Sequence, residues 1–349
     1  MEKNDSFATE LTEIRSMAQK LLNENTPARV DNWTHVAGGA ETGTTWKRNL
    51  QAFEGLGFKL KTISSVDPEK MDLSVEIFGS KWDLPIAIAP MSSAISTVCK
   101  DVFVEMALGA KASGIAASIG YPAGPDTHVK MLETGAKVFR LIKPLKDFDK
   151  LIETLKSSQA DGCFATGIDT DSIAGLKPGG DSGHFGDVCR ALSVQELKEA
   201  RQSVDIPFII KGIVSEEDAQ SALEIGADAI VVSTHAGYAL DYCLSSLEAL
   251  PGIVKAVGNK MKVFLDSGIR RGSDIIKALA LGADAVLIGR LALWGLVIGK
   301  KEGLSWILKL MADEMKRIMV LTGAEKLSDL NSGILLSLDN LGDRILPQA

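Results

Sequence analysis

Eight short apolar runs, each followed by a longer amphipathic stretch, constrain this chain more than any other feature. They are residues 85–89 (PIAIA), 114–118 (GIAAS), 137–142 (KVFRLI), 162–166 (GCFAT), 207–211 (PFIIK), 229–233 (AIVVS), 262–266 (KVFLD) and 285–289 (AVLIG). Continuous apolar runs are what strands covered on both faces require, and eight of them separated by helices imply an α/β fold, a closed (β/α)8 TIM barrel. The helices carry their own marks. The segment 215–223 (SEEDAQSAL) opens on a serine N-cap and an acidic first turn, and the phrase IGADA at 225–229 returns as LGADA at 281–285, a glycine helix stop leading into a strand.

Residues 1–80 precede the barrel as a helical and irregular extension expected to pack on it, and 81–349 form the barrel. The extension should contain a helix over 6–23 and an irregular loop at 38–45 (GGAETGTT). A Gly-rich stretch, 175–184, follows the fourth strand at the end where barrels keep their active sites. It reads either as a mobile lid or as ordinary surface disorder.

With 349 residues, 46% of them hydrophobic, there is ample material for such a core. The net charge of −7 argues against nucleic acid and against anionic membrane as partners, leaving small molecules. Cys99, Cys163, Cys189 and Cys243 form no CxxC pair, no apolar run reaches membrane-spanning length, and the first residues do not read as a leader. A cytoplasmic protein with free thiols is expected. The histidines show no zinc-ligand spacing, so no metal is expected.

The chemistry concentrates after strands. His235 lies just beyond the sixth run, where a strand fixes a side chain that emerges into a pocket, and is the first candidate for an acid or base. A hydrogen-bonded loop histidine is the alternative. The run 266–283 (DSGIRRGSDIIKALALGA) with 288–290 (IGR) places small residues and Arg270 and Arg290 after strands seven and eight, the usual phosphate site of this fold.

The segments 86–91 (IAIAPM), 210–213 (IKGI), 232–241 (VSTHAGYALD) and 266–290 occur in order at the ends of the expected strands. Together they make most of the chain, from about Trp33 onward, resemble the FMN-dependent α-hydroxy acid oxidases and dehydrogenases, which include glycolate oxidase, lactate oxidase and the flavin domain of flavocytochrome b2. The resemblance implies FMN as cofactor and oxidation of a 2-hydroxy acid or related secondary alcohol, with hydride transfer to flavin N5. Ala89, Pro90, Met91 and Ser92 would lie beside the flavin near N5. Ser118 and Lys211 would meet the pyrimidine edge, and Asp266, Gly268, Arg270, Gly289 and Arg290 the ribityl and phosphate. Ser233 and Ser267 complete the cofactor set. His235 would take the substrate hydroxyl proton, with Asp169 stabilising its imidazolium.

The resemblance fails where the substrate sits. Tyr238 stands in place of the family's carboxylate-gripping arginine, His35 and Ile142 in place of two tyrosines, and Arg140 in place of a glutamine, with Arg140 available to flavin O2 or N3. After strand four, Lys177 is only a loose counterpart of a family arginine. Losing a buried bidentate contact is worth on the order of 2–5 kcal/mol, so small acids should bind poorly in the family's orientation. Either another cation, such as Arg140, Lys143 or His35, holds the anion, or the substrate has no α-carboxylate. A flavin-dependent isomerase resembling the type 2 isopentenyl diphosphate isomerases, a non-catalytic flavoprotein, and a barrel for phosphorylated sugars are the competing functions. The resemblance also implies a homo-oligomer, tetramer or octamer. The electron acceptor, oxygen or another, is left open.

Overall fold

The computed structural model describes residues 39–338 except 93–94, 97, 172 and 174–188, together with short helical pieces between 13 and 21. The expected lid at 175–184, and with it Lys177, His184 and also His35, lies outside the described residues, as does most of the expected helix over 6–23.

Eight parallel strands form one sheet: β4 (Ile86–Ile88), β5 (Ala117–Gly120), β6 (Val138–Ile142), β7 (Ala165–Asp169), β8 (Phe208–Ile213), β9 (Ala229–Val232), β10 (Lys262–Leu265) and β11 (Ala285–Ile288). β11 pairs with β4, and a parallel bridge between Ala87 and Ala116 closes the remaining seam. The barrel read from the eight runs is therefore present. β5 and β7 start three residues later than the apolar runs at 114 and 162, because Gly114 and Gly162 adopt positive φ (64° and 90°) and belong to the preceding turns.

Side-chain parity divides the strands between two cores. Ala87, Ala89, Phe139, Leu141, Ala165, Ile209, Val231, Phe264 and Leu287 gather in the barrel interior. Their neighbours Ile86, Ile88, Val138, Ile142, Ile168, Ile210, Val232, Leu265 and Ile288 belong to the larger core under the helices. A period of two does this automatically, since alternate side chains of a strand leave by opposite faces.

Before the barrel come α1 (Thr44–Glu54), β1 (Leu56–Phe58) and an antiparallel hairpin of β2 (Val75–Ile77) and β3 (Ser80–Trp82). The hairpin turns at Phe78 and Gly79, both at positive φ, and spans the division expected near position 80. It plugs one end of the barrel. Trp82, fully buried, stacks on Phe264 with ring centroids 6.3 Å apart and meets Phe139 at 5.8 Å, while Phe78 lies across Phe164 and Phe264. β1 pairs antiparallel with β12 (Leu335–Ser337), tying the extension to the far end of the chain.

The helices form where caps and periodicity place them. Ser215 accepts a hydrogen bond from Asp218 N at the start of α6 (Glu216–Ile225), and Gly226 ends it at φ 85°. The last helix, α9 (Arg290–Thr322), breaks at Gly299 and Lys300. Its apolar residues 291–296 are buried in the chain's own core.

With one end sealed by aromatic rings, the chemistry is confined to the other. We expect Trp82→Ala to lower unfolding free energy by about 3–5 kcal/mol, measured by denaturant titration. A loss under about 1 kcal/mol would mean that the hairpin does not seal the core.

Candidate active site

Continuing the inward parity of each strand by one step lists the rim of the open end: Ala89, Ser118, Lys143, Asp169, Lys211, Ser233, Asp266 and Gly289. The apolar interior gives way there to charge. Lys211, 3% exposed, sends Nζ to 3.1 Å from Asp169 Oδ1, 3.8 Å from Asp266 Oδ2 and 4.0 Å from Asp171 Oδ2. Burial alone would discharge this lysine, but the three carboxylates outweigh it and hold its pKa above the ordinary value. Lys143 pairs directly with Asp169 Oδ2. Burial also works against the Asp169 carboxylate, yet Lys143 and Lys211 together keep its pKa well below the usual carboxylate range.

His235 enters from the loop after β9. Both His235 (φ 52°) and Ala236 (φ 57°) lie in the left-handed region, an uncommon state for residues with a Cβ that surrounding bonds must maintain. Those bonds are present. Ser267 Oγ accepts from Ala236 N at 2.9 Å and Thr234 N at 3.3 Å, and donates to Asp266 Oδ1 at 2.8 Å. Ser233 Oγ accepts from His235 N at 3.1 Å. Asn49 of α1 donates to Thr234 Oγ1 at 2.8 Å, and Ala40 N donates to Gly237 O at 2.7 Å. The loop ends on Asp241, whose carboxylate accepts from Thr42 and Thr45 N–H groups. The N-terminal extension thus braces the histidine loop from outside the barrel.

His235 Nδ1 lies 2.9 Å from Asp171 Oδ1 and 3.6 Å from Asp169 Oδ2. The nearer partner is therefore not the carboxylate expected from the sequence. Asp171 was legible as a candidate, since the run Asp169-Thr170-Asp171 gives two acidic residues at a spacing of two. The His235, Asp169 and Asp171 ligand atoms lie within 4.8 Å of one another. Lys143 and Lys211 already supply the positive charge that two carboxylates require.

Two further expectations are corrected by parity. Arg140 shares its face of β6 with Val138 and Ile142 and points into the helix layer, where its guanidinium lies 3.2 Å from His128 Nε2 and 3.4 Å from Ser157 Oγ. Ile142 is fully buried in the outer core. The inward positions on this strand are Leu141 and Lys143, one residue further along, and a shift of one residue exchanges faces completely. Ser267 also differs, since its hydroxyl serves the histidine loop and Asp266. Ser118 Oγ bonds to the Ile88 carbonyl oxygen.

At the β10 and β11 ends the residues fit a phosphorylated planar cofactor. A Cβ built on Gly289 meets nothing nearer than Ala89 Cβ at 3.7 Å, so an extended ring has room between small residues. Helix α9 starts at once after Gly289 with no side-chain cap, leaving its first N–H groups for an anion. The Arg270 guanidinium lies 5.5 Å from the Trp294 ring centroid and that of Arg290 5.7 Å from Tyr238. Two cations beside an uncapped helix end suit a phosphate, and buried Lys211 suits the electron-rich edge of a flavin.

Comparison with known proteins decides the family. The model of the FMN-dependent dehydrogenases matches residues 24–181 and 175–337. The chain belongs to the FMN-dependent dehydrogenase family. It is 33% identical to an L-lactate oxidase of Nostoc over 85% of this chain and 91% of that protein, and 31% identical to a 2-hydroxyacid oxidase of Dictyostelium discoideum over 95% and 90%. Among solved structures, a mandelate oxidase superposes with a TM-score of 0.84 at 25% identity, covering 95% of this chain and 98% of the other. This member of the family is an FMN-dependent oxidoreductase of 2-hydroxy acids, and the isomerase alternative falls away. No helix among the described residues is long and apolar enough to cross a membrane.

Replacing Lys211 by Met would leave Asp169 and Asp266 facing each other's charge in a buried site. The expected cost is about 3–5 kcal/mol of stability, read from denaturant unfolding. Asp169→Asn in the same chain should return part of it, a coupling that independent sites would not show.

Proposed function

We propose that this enzyme oxidises a 2-hydroxy acid with His235 as the base, and that Lys143 supplies the cation for the substrate anion. The observation that carries the reading is the histidine's geometry. Its Nδ1 is held by a carboxylate, so the imidazole presents Nε2, and the side chain keeps about 22% exposure at the rim. When bound, FMN supplies the acceptor for the electron pair that leaves with the substrate α-hydrogen.

The work of this chain's residues follows from charge. His235 must be neutral to accept the hydroxyl proton, and burial, opposed by Asp171, aided by Lys211 and opposed again by Asp169, lowers its pKa below the ordinary 6.5. Once protonated, the imidazolium is stabilised by the carboxylates beside Nδ1. Lys143 stands on the inward face at the end of β6 and engages Asp169, and its positive charge there is what would draw a substrate carboxylate arriving over the rim. A single ammonium is a less directional grip than an arginine fork, which favours acids whose side chain adds apolar contact. Arg140 does not compete for this role, since it faces the helix layer.

Ala89, Pro90, Met91 and Ser92 are assigned to the flavin's N5 side, Ser118, Lys211 and Ser233 to its ring edge, and Asp266, Gly268, Arg270, Gly289 and Arg290 to ribityl and phosphate. Tyr238 is assigned to the substrate side. Oxygen is the proposed acceptor, by analogy with the relatives named as oxidases, and a cytoplasmic homo-oligomer the proposed state.

Anaerobic addition of 2-hydroxy acids, from small to aromatic, to the yellow holoenzyme should bleach its flavin absorbance with at least one member. Bleaching by none would overturn the proposal. His235→Gln should keep the flavin spectrum while slowing bleaching by about 10²–10⁴-fold. Lys143→Met should raise KM far more than it lowers kcat.

Because activity needs the neutral imidazole, it should be lost as pH falls through the lowered His235 pKa. The acid limb of kcat/KM is thus expected below pH 6.5. A limb above that value would contradict the burial argument.

A further inference from the structure

Two carboxylates reach His235, and the structure gives them different surroundings. Asp169 is answered on both oxygens: Lys143 takes Oδ2, and Lys211 takes Oδ1 at 3.1 Å. Its distance to His235 Nδ1, 3.6 Å, exceeds a hydrogen bond. Asp171 Oδ1 sits at 2.9 Å from the same nitrogen, while its other oxygen is 4.0 Å from Lys211.

A second feature shows that the fold makes room for Asp171. Gly212, just after Lys211, has φ 102°, and a Cβ there would stand 2.7 Å from Asp171 Cβ, 2.8 Å from its Cγ and 2.9 Å from its backbone N. Only glycine lets strand β8 pass so close. The strand registers Asp169 opposite Lys211, and its pairing with β9 shifts between Lys211 and Ile213, at Gly212 itself. That irregularity re-aims the chain next to the site.

We propose that Asp171 is the positioning residue that holds His235 in its working tautomer, and that Lys143 enforces this by keeping Asp169 engaged elsewhere. The functional consequence rests on the reading of His235 as the base; the pairing of the two side chains does not. A neutral histidine bonded to a carboxylate through Nδ1 carries its proton there, and the lone pair stays on Nε2. Asp169 then acts at longer range, as one charge among four. The groups facing the imidazole are Asp171 and Asp169 from the end of β7, Lys211 from β8 and Lys143 from the end of β6.

The decisive measurement is the tautomer and titration of His235 in the FMN-loaded enzyme, by long-range proton–nitrogen spectra of protein carrying ¹⁵N-histidine. Only four histidines contribute, and His235→Gln identifies the signal. In the wild type the Nδ1–H form is expected. Asp171→Asn should lower the His235 pKa by about one unit or more and mix the tautomers, since it removes the nearest opposite charge. Asp169→Asn should do so less. Lys143→Met keeps both carboxylates and should move the pKa the other way, upward, because a cation is lost and Asp169 is released.

In turnover, Asp171→Asn should shift the acid limb of kcat/KM with the imidazole and lower kcat, with KM within about twofold, a split that a merely structural loss would not give. A larger shift in Asp169→Asn than in Asp171→Asn, or a downward shift in Lys143→Met, would overturn the proposal. If the spectra behave as described while His235→Gln bleaches at the wild-type rate, the pairing stands and the reading of His235 as base fails.

Discussion

The ammonium of Lys211, buried among Asp169, Asp171 and Asp266, is the interaction on which the rest of the site depends. The buried Asp169 carboxylate could not stay ionised without cations beside it, and one buried lysine could not stay charged without carboxylates. Lys143 adds a second positive charge at Asp169. Asp169 and Lys211 therefore hold each other ionised, and a histidine placed at the edge of the cluster is pulled both ways, by Asp171 and Asp169 against Lys211 and Lys143. Burial then decides, and the imidazole is neutral where a base must be.

Why the cluster forms at this end follows from strand parity. The same inward face that carries Phe139, Ile209 and Phe264 inside the barrel carries Lys143, Lys211 and Asp266 at its rim. The aromatic plug of Trp82 and Phe78 seals the opposite end. A barrel so filled has only one face left for polar groups, consistent with the general placement of chemistry at the carboxyl ends of barrel strands.

This arithmetic also explains what the sequence made legible. Eight apolar runs announced the number and order of strands, and Lys211, His235 and Asp266 stood out because each ends such a run or lies just beyond it. Arg140 and Ile142 were misassigned for a physical reason. In a run apolar on both faces, nothing in residues 137–142 says which alternate set points inward, and only the closed barrel decides. Asp171 was overlooked although the run shows both carboxylates, because which of them comes nearer to His235 depends on the close approach of Gly212 from a different strand. The braces on the histidine loop, from Asn49 and Ala40, join residues nearly 200 positions apart and were likewise beyond local reading.

The exchange of the family's arginine for Tyr238 is better understood as a change in two residues' relations than as a simple loss. An arginine there would stand beside Arg290, and two guanidiniums so close repel unless an anion lies between them. With tyrosine, the Arg290 guanidinium rests 5.7 Å from the ring centroid, and repulsion becomes a cation–π attraction of about 0.5–2 kcal/mol. The ring thereby helps to hold the Arg290 guanidinium in place. The cost falls on the substrate carboxylate, which loses its fork. Lys143, an inward cation at the end of β6, pairs with the same Asp169 Oδ2 that lies 3.6 Å from His235 Nδ1, so an anion drawn to the lysine would arrive beside the base. On the proposal that Lys143 meets the substrate anion, positive charge for the substrate stands at the end of β6, while position 238 in the β9 loop holds a tyrosine that serves Arg290.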